Sequence, residues 1–274
     1  LYLSRAQLKE GEARLADLMK AEQTDPSWRT GMALLNYYTA ESNWDKVVET
    51  GKKYIRKYPD NYYIGLKYAN GLCETRQYGS CISLLSKMQV LPNEGSYAGR
   101  AVYRAANLYQ AMDQFSKRRY DAVLKSIKAS EEWPENLGVG KPYDDQIDKR
   151  LEDYLEAKVY EKKGETAKAQ TLLDKVSSHP TSTRNFESAH LLTALALRDT
   201  GKQAEADKLV ASWKKDFPES KPAQWCAAVY HGNMDQAREL LSSRYASNET
   251  TPWETGYRDT NFDLIARLFS EVPR

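Results

Sequence analysis

Cysteine and histidine are scarce in this chain: its 274 residues hold three of each. Cys73, Cys81 and Cys226 are too few for a multi-disulfide scaffold, and they suit buried thiols better than a Cys73–Cys81 bridge. His179, His190 and His231 lie in separate stretches outside any HExxH arrangement, and Cys73 and Cys81 stand eight apart rather than as CxxC. Zinc chemistry needs closer clustering than that. Charge of one sign is also missing: 40 Lys+Arg against 38 Asp+Glu leave a formal net charge of +2. A nucleic-acid surface would show as a basic patch or stripe, so none is expected. No apolar run approaches the roughly 18 residues of a membrane-spanning helix. The chain opens Leu1-Tyr2-Leu3 without a charged-then-apolar leader, which reads as an excised or processed piece whose cellular address lies elsewhere.

Strand signals are nearly absent as well, since no Asn-Gly or Asp-Gly turn sits between alternating apolar runs. What remains is helical periodicity. Leu151, Tyr154, Leu155, Ala157, Val159 and Tyr160 recur at the spacing of one buried helix face. Gly164 then stops that helix, and Ala169, Leu172, Leu173 and Val176 repeat the period up to Pro180. This is a helical hairpin of about 30 residues. Related units start at Asn43-Trp44, Arg76-Gln77, Thr200-Gly201 and His231-Gly232, and Pro26, Pro59 and Pro92 follow one another at a single constant interval. Later spacings lengthen to Pro134, Pro180 and Pro218.

These features resemble the tetratricopeptide repeat: a small residue late in the first helix, an apolar residue after the turn, small and apolar residues in the second helix, then proline. Leu151–Pro180 and Glu187–Pro218 match best, with Ala157 and Ala194, then Ala169 and Ala206, at the small positions. Ser27–Pro59 and Tyr62–Pro92 follow, although Leu35 takes one small position and Gly51 replaces a large apolar residue. The resemblance implies an all-α fold, an α-α superhelix of about six hairpins in which stacked neighbours complete a shared core around a concave surface. The organisation expected is N-terminal repeats over 1–132, an ordered Pro/Gly loop over 133–146, C-terminal repeats over 147–250 and a cap over 251–274. Within the cap, Thr251-Pro252-Trp253 reads as an irregular link, and Phe262, Ile265, Leu268 and Phe269 form one face of a final helix.

The loop Trp133–Asp144, with two Pro and two Gly in twelve residues, is an ordered crossover over neighbouring helices. Its Gly138-Val139-Gly140-Lys141 lacks the frame and preceding strand of a phosphate-binding loop. The wording of this loop between repeats also resembles large bacterial proteins of unassigned function, in which a β-rich, carbohydrate-enzyme-like region precedes tetratricopeptide repeats. That resemblance implies an accessory module of a longer chain, with glycan metabolism as its context.

Nucleophile signatures such as GxSxG are missing. Adjacent acids such as Glu131-Glu132 and Asp144-Asp145 point different ways on a helix and read as solvated faces. No intrinsic reaction and no cofactor are expected. The constellation that points to binding is a ladder of Asn36, Asn70 and Asn107 on three successive first helices. By analogy with the repeat family this position faces the groove, and an asparagine amide both donates to and accepts from a peptide backbone. Arg29, Met32, Tyr63, Leu66, Arg100 and Tyr103 would share the wall. Met32 stands where a carboxylate clamp wants Lys, and the ladder lapses at Lys158 and Leu195, which confines the groove to the N-terminal half. The many tyrosines mainly fill space between hairpins, their hydroxyls seeking polar neighbours. Lys117-Arg118-Arg119 reads as a solvated turn. The expectation is a protein-interaction or scaffolding module that binds a peptide, a partner protein or an upstream domain of its own chain, without nucleic acid or membrane. The alternatives are an accessory region of a carbohydrate-active enzyme and a glycan-binding module using tyrosines.

Overall fold

The computed structural model describes residues 1–92, 97–181, 185–246 and 259–271, and among these it contains helices and no strand. In chain order the helices are α1 (Tyr2–Ala6), α2 (Gly11–Thr24), α3 (Trp28–Ala40), α4 (Trp44–Lys57), α5 (Tyr62–Glu74), α6 (Tyr78–Leu85), α7 (Ala98–Ser116) and α8 (Tyr120–Ser130). They continue as α9 (Arg150–Lys163), α10 (Thr166–Ser177), α11 (Ala189–Asp199), α12 (Gln203–Asp216), α13 (Lys221–Tyr230), α14 (Met234–Ala246) and α15 (Phe262–Glu271). The link Thr251-Pro252-Trp253 lies outside the described residues.

Six hairpin turns share one backbone solution. After α3, α5, α7, α9, α11 and α13 the chain places Ser42, Arg76, Arg118, Gly164, Gly201 and Gly232 in the left-handed region, with φ between 51° and 81°. The next N–H then donates back to the carbonyl five residues earlier: Asn43 to Tyr38, Gln77 to Leu72, Arg119 to Gln114, Glu165 to Tyr160, Lys202 to Leu197 and Asn233 to Ala228, all at 2.8–2.9 Å. This is the Schellman closure, which satisfies carbonyls a helix end would leave orphaned. The second helix of a hairpin can then start two residues later, as α4 does under the Asn43 side chain, which accepts from Lys46 N–H.

The chain divides into two compact units, residues 1–110 with 129–141, and residues 111–128 with 142–274, so α7 and α8 each contribute to both. In the first unit every helix from α1 to α6 packs on the next, and α3 also packs on α5. In the second, α9 to α14 pack consecutively, and the first helices pack on one another as α9 on α11 and α11 on α13. Consecutive hairpins with first-helix contacts are the α-α superhelical kind of arrangement that the resemblance implied.

Close approach in the first unit rests on glycine. A Cβ at Gly31 would lie 2.5–2.8 Å from the Tyr54 ring, and one at Gly65 would lie 2.5 Å from Met88 Cε. The positions correspond across repeats, because the step from Gly31 to Gly65 equals the step from Tyr54 to Met88. Gly51, out of pattern in the sequence, admits the Tyr68 side chain in the same manner. In the second unit Ala157, Ala194 and Ala206 are fully buried. The three cysteines are buried thiols; Cys81 donates to the Ala69 carbonyl at 3.2 Å.

The loop after α8 packs against the end of α6 and the start of α7. Asn136 closes the end of α6: its side-chain amide donates to the carbonyls of Leu85 and Met88 at 2.8 and 2.7 Å, and its own carbonyl accepts from Val90 N–H. Leu137 is buried against Gly99 at the start of α7. Gly138 adopts φ 73° with the Val90 carbonyl so near that a side chain there would meet it at 2.7 Å.

Candidate functional site

Repeat register decides which residues share a face. Arg29, Met32 and Asn36 on α3 recur at one common interval as Tyr63, Leu66 and Asn70 on α5, and these two helices pack on each other. Asn36 is exposed, and Asn70, Met32 and Leu66 are partly buried. Arg29 lies over the Trp28 ring at 4.6 Å, and Tyr63 is 54% exposed with its ring 4.2 Å from that of Tyr62. Amides, a guanidinium and aromatic faces thus stand at equal positions on adjacent helices, which suits an extended ligand offering backbone amides and flat or apolar groups.

The third rung departs from this pattern. Asn107 follows Asn70 at a longer interval than Asn70 follows Asn36, and it is only 2% exposed; its amide donates to the Tyr103 carbonyl of its own helix at 2.9 Å. Arg100 and Tyr103 are buried with it. Arg100 donates to the Ser130 carbonyl at 2.6 Å and stacks on Trp133, while the Tyr103 hydroxyl meets Glu132 at 3.2 Å. Arg100 and Tyr103 are therefore tied to the chain's own segment 130–133, Asn107 is bound within its own helix, and the three are not an open wall. The physical reason is that Asn107 stands almost one helical turn beyond the interval that carries Gly31 to Gly65 and Gly65 to Gly99, and that the loop after α8 lies over the start of α7. Gly99 continues the spacing of Gly31 and Gly65, and exposed Tyr97 holds the position in that spacing that Arg29 and Tyr63 hold before it.

In the second unit the ladder positions are occupied by packing. Lys158 reaches Asp199 at 2.7 Å and lies 5.1 Å from the Tyr154 ring, and Leu195 is buried.

A second constellation was not visible in the sequence. Arg150, at the start of α9, is 2% exposed and binds Asp148 through Nε and Nη2, Glu187 through Nη2 at 2.8 Å, and Thr193 Oγ1 at 3.4 Å. Burial works to raise the Asp148 carboxyl, yet the Arg150 hydrogen bonds and charge hold it below the ordinary range. His190, on α11, is 1% exposed; burial first, then Arg150, push it down to about 4. Burial and Arg150 also lower His179. A cavity of about 260 Å³ opens beside this cluster, lined by Asp144, Ile147, Lys149, Arg150, Asp153, Lys175 and His179. Lys175 is bound to Asp153 at 2.7 Å, so the lining charges are largely satisfied within the protein. Partners separated by 37 and 43 positions leave no local pattern to read.

Among the described residues no cluster of His, Cys, Asp and Glu is arranged to hold a metal ion, and no helix is long and apolar enough to cross a membrane. No family model matches the chain, and no curated protein matches it.

Proposed function

We propose that the chain is a tetratricopeptide-like scaffolding module that holds an extended polypeptide, from a partner or from another part of its own protein, on the surface formed by α3 and α5. The observation that carries this reading is the equal register of Asn36 with Asn70, and of Arg29 with Tyr63, on helices that pack side by side. Two amides one repeat apart offer a donor and an acceptor each to successive backbone groups of an extended strand. The aromatic groups at the starts of the same helices provide flat contact area at low entropic cost. No reaction and no cofactor belong to this reading.

Capture from lysate by the chain and by an Asn36→Ala/Asn70→Ala variant tests it. The expected result is a protein retained by the parent and lost by the variant, with an unchanged melting temperature. Equal capture by both would overturn the assignment of the asparagines. Exposed Tyr63 and Tyr97, at 54% and 59%, support a second reading in which exposed tyrosines, and not the asparagines, stack on glycan rings. Binding of oligosaccharide that survives Asn36→Ala/Asn70→Ala but is abolished by Tyr63→Ala/Tyr97→Ala would select it.

A further inference from the structure

Phe186, Glu187, Ser188 and His190 tie four parts of the second unit together. Glu187 holds Arg150 of α9 at 2.8 Å. The Phe186 ring packs edge-on against His190, Trp213 of α12 and Phe217, with centroids 5.4–5.6 Å apart. The Ser188 N–H donates to Asp259 at 2.6 Å, and Asp259 in turn accepts from Asn261 N–H at the start of α15. The Ser188 carbonyl faces the Cys226 thiol of α13. His190 is the weak member: its Nε2 is buried without a hydrogen-bond partner and stands 3.9 Å from Glu187 Oε2, beyond bonding reach.

We propose that segment 186–190 is a proton-operated latch, in which protonation of His190 draws Glu187 from Arg150 to the imidazolium and loosens the hold of Ser188 on the C-terminal helix.

The charges around the ring set the direction. Arg150 from α9 disfavours the imidazolium, Asp148 ahead of α9 and Glu187 ahead of α11 favour it, and His179 beyond α10 disfavours it when charged. Asp144, Lys149, Asp153 and Lys175 line the adjoining cavity, and Asp259 faces the other side of the segment at Ser188. A neutral His190 leaves Glu187 wholly to Arg150. A protonated one competes for that carboxylate and, being buried, must gain either the carboxylate or water. Since burial and Arg150 hold the closed-state value near 4, below the ordinary 6.5, the open state takes up a proton that the closed state refuses between these pH values. Stability of the closed latch is complete above about 6.5 and declines as pH falls through that window, by up to about tenfold in the opening equilibrium per pH unit.

The test is hydrogen exchange of residues 186–199 and 259–271 between pH 7 and pH 4, corrected for intrinsic exchange, on the whole chain. The parent should lose about tenfold or more of its protection in both segments on acidification, while 1–92 keeps its protection. His190→Gln should remove the pH dependence by abolishing the proton, and Glu187→Gln should reduce it by taking away the acceptor that draws the imidazolium out. Where a variant does not fold, the parent's imidazole resonances decide: His190 titrating together with the amides of α15 supports the latch. A His190 titration that leaves those amides unmoved, or an unchanged pH response in either folded variant, would overturn it.

Discussion

Arg100 lays its guanidinium over the Trp133 ring, 4.6 Å from the centroid, and donates to the Ser130 carbonyl at 2.6 Å. This one side chain holds the segment after α8 onto the start of α7. The contact converts what would be an open helix face into an internal surface, and it ends the run of accessible ladder positions after α5.

Replacing Trp133 with Ala should therefore act on the fold of the first unit and not on ligand capture by α3 and α5. Losing the ring and its cation contact is expected to cost about 2–3 kcal/mol. Thermal unfolding followed by circular dichroism measures it. An unchanged melt would show that the segment is held by Asn136 and Leu137 alone.

Two glycine substitutions should move stability in opposite directions. Gly31→Ala drives a methyl into the Tyr54 ring, which is 1% exposed and has no free space to turn. Overpacking of this kind costs about 1–3 kcal/mol. Gly79→Ala, on α6 with nothing within 4 Å of a built Cβ, should instead gain about 0.5–1 kcal/mol from helix propensity. Denaturant unfolding of both variants checks the pair.

The hairpin turns offer a stabilising change. Ser42 and Arg118 sit at φ 51° and 57°, where Gly164, Gly201 and Gly232 serve the corresponding turns. An L-residue carries a penalty there that glycine avoids. Ser42→Gly/Arg118→Gly is expected to raise stability by about 1 kcal/mol after glycine's extra unfolded-state entropy is offset. An unchanged or lower denaturation midpoint would contradict the turn assignment.

Removal of residues from Asp259 onward tests the end of the second unit. Phe262, Ile265 and Leu268 are at most 3% exposed, and the Phe262 ring lies 5.1 Å from Trp225 on α13. Leu264 and Ala266 are buried too, so the contact is wider than the single face read from periodicity. The truncated chain should expose Trp225, melt earlier and aggregate; light scattering during heating reports this. A monomeric product with an unchanged melt would remove α15 from the core.

Helices, hairpins and their order were legible because their causes are local. The spacing of Leu151, Tyr154 and Leu155, the stop at Gly164 and the prolines between units act over distances shorter than one repeat. The buried apolar residues Leu151, Tyr154, Leu155, Ala157 and Val159 of α9, and Phe262, Ile265 and Leu268 of α15, follow from the same periodicity. The sequence alone thus determined the all-α class and the position of Asn36 and Asn70 on successive first helices, since a repeat without insertions carries register from one to the next. Tertiary structure decided everything that depends on insertions or on distant partners. Asn107 lies beyond the interval that Gly31, Gly65 and Gly99 keep, and segment 130–133 ties down Arg100 and Tyr103. Arg150, Asp148, Glu187 and His190 meet only because α9 and α11 pack, and a buried guanidinium recruits carboxylates through space, where spacing along the chain carries no record of the choice.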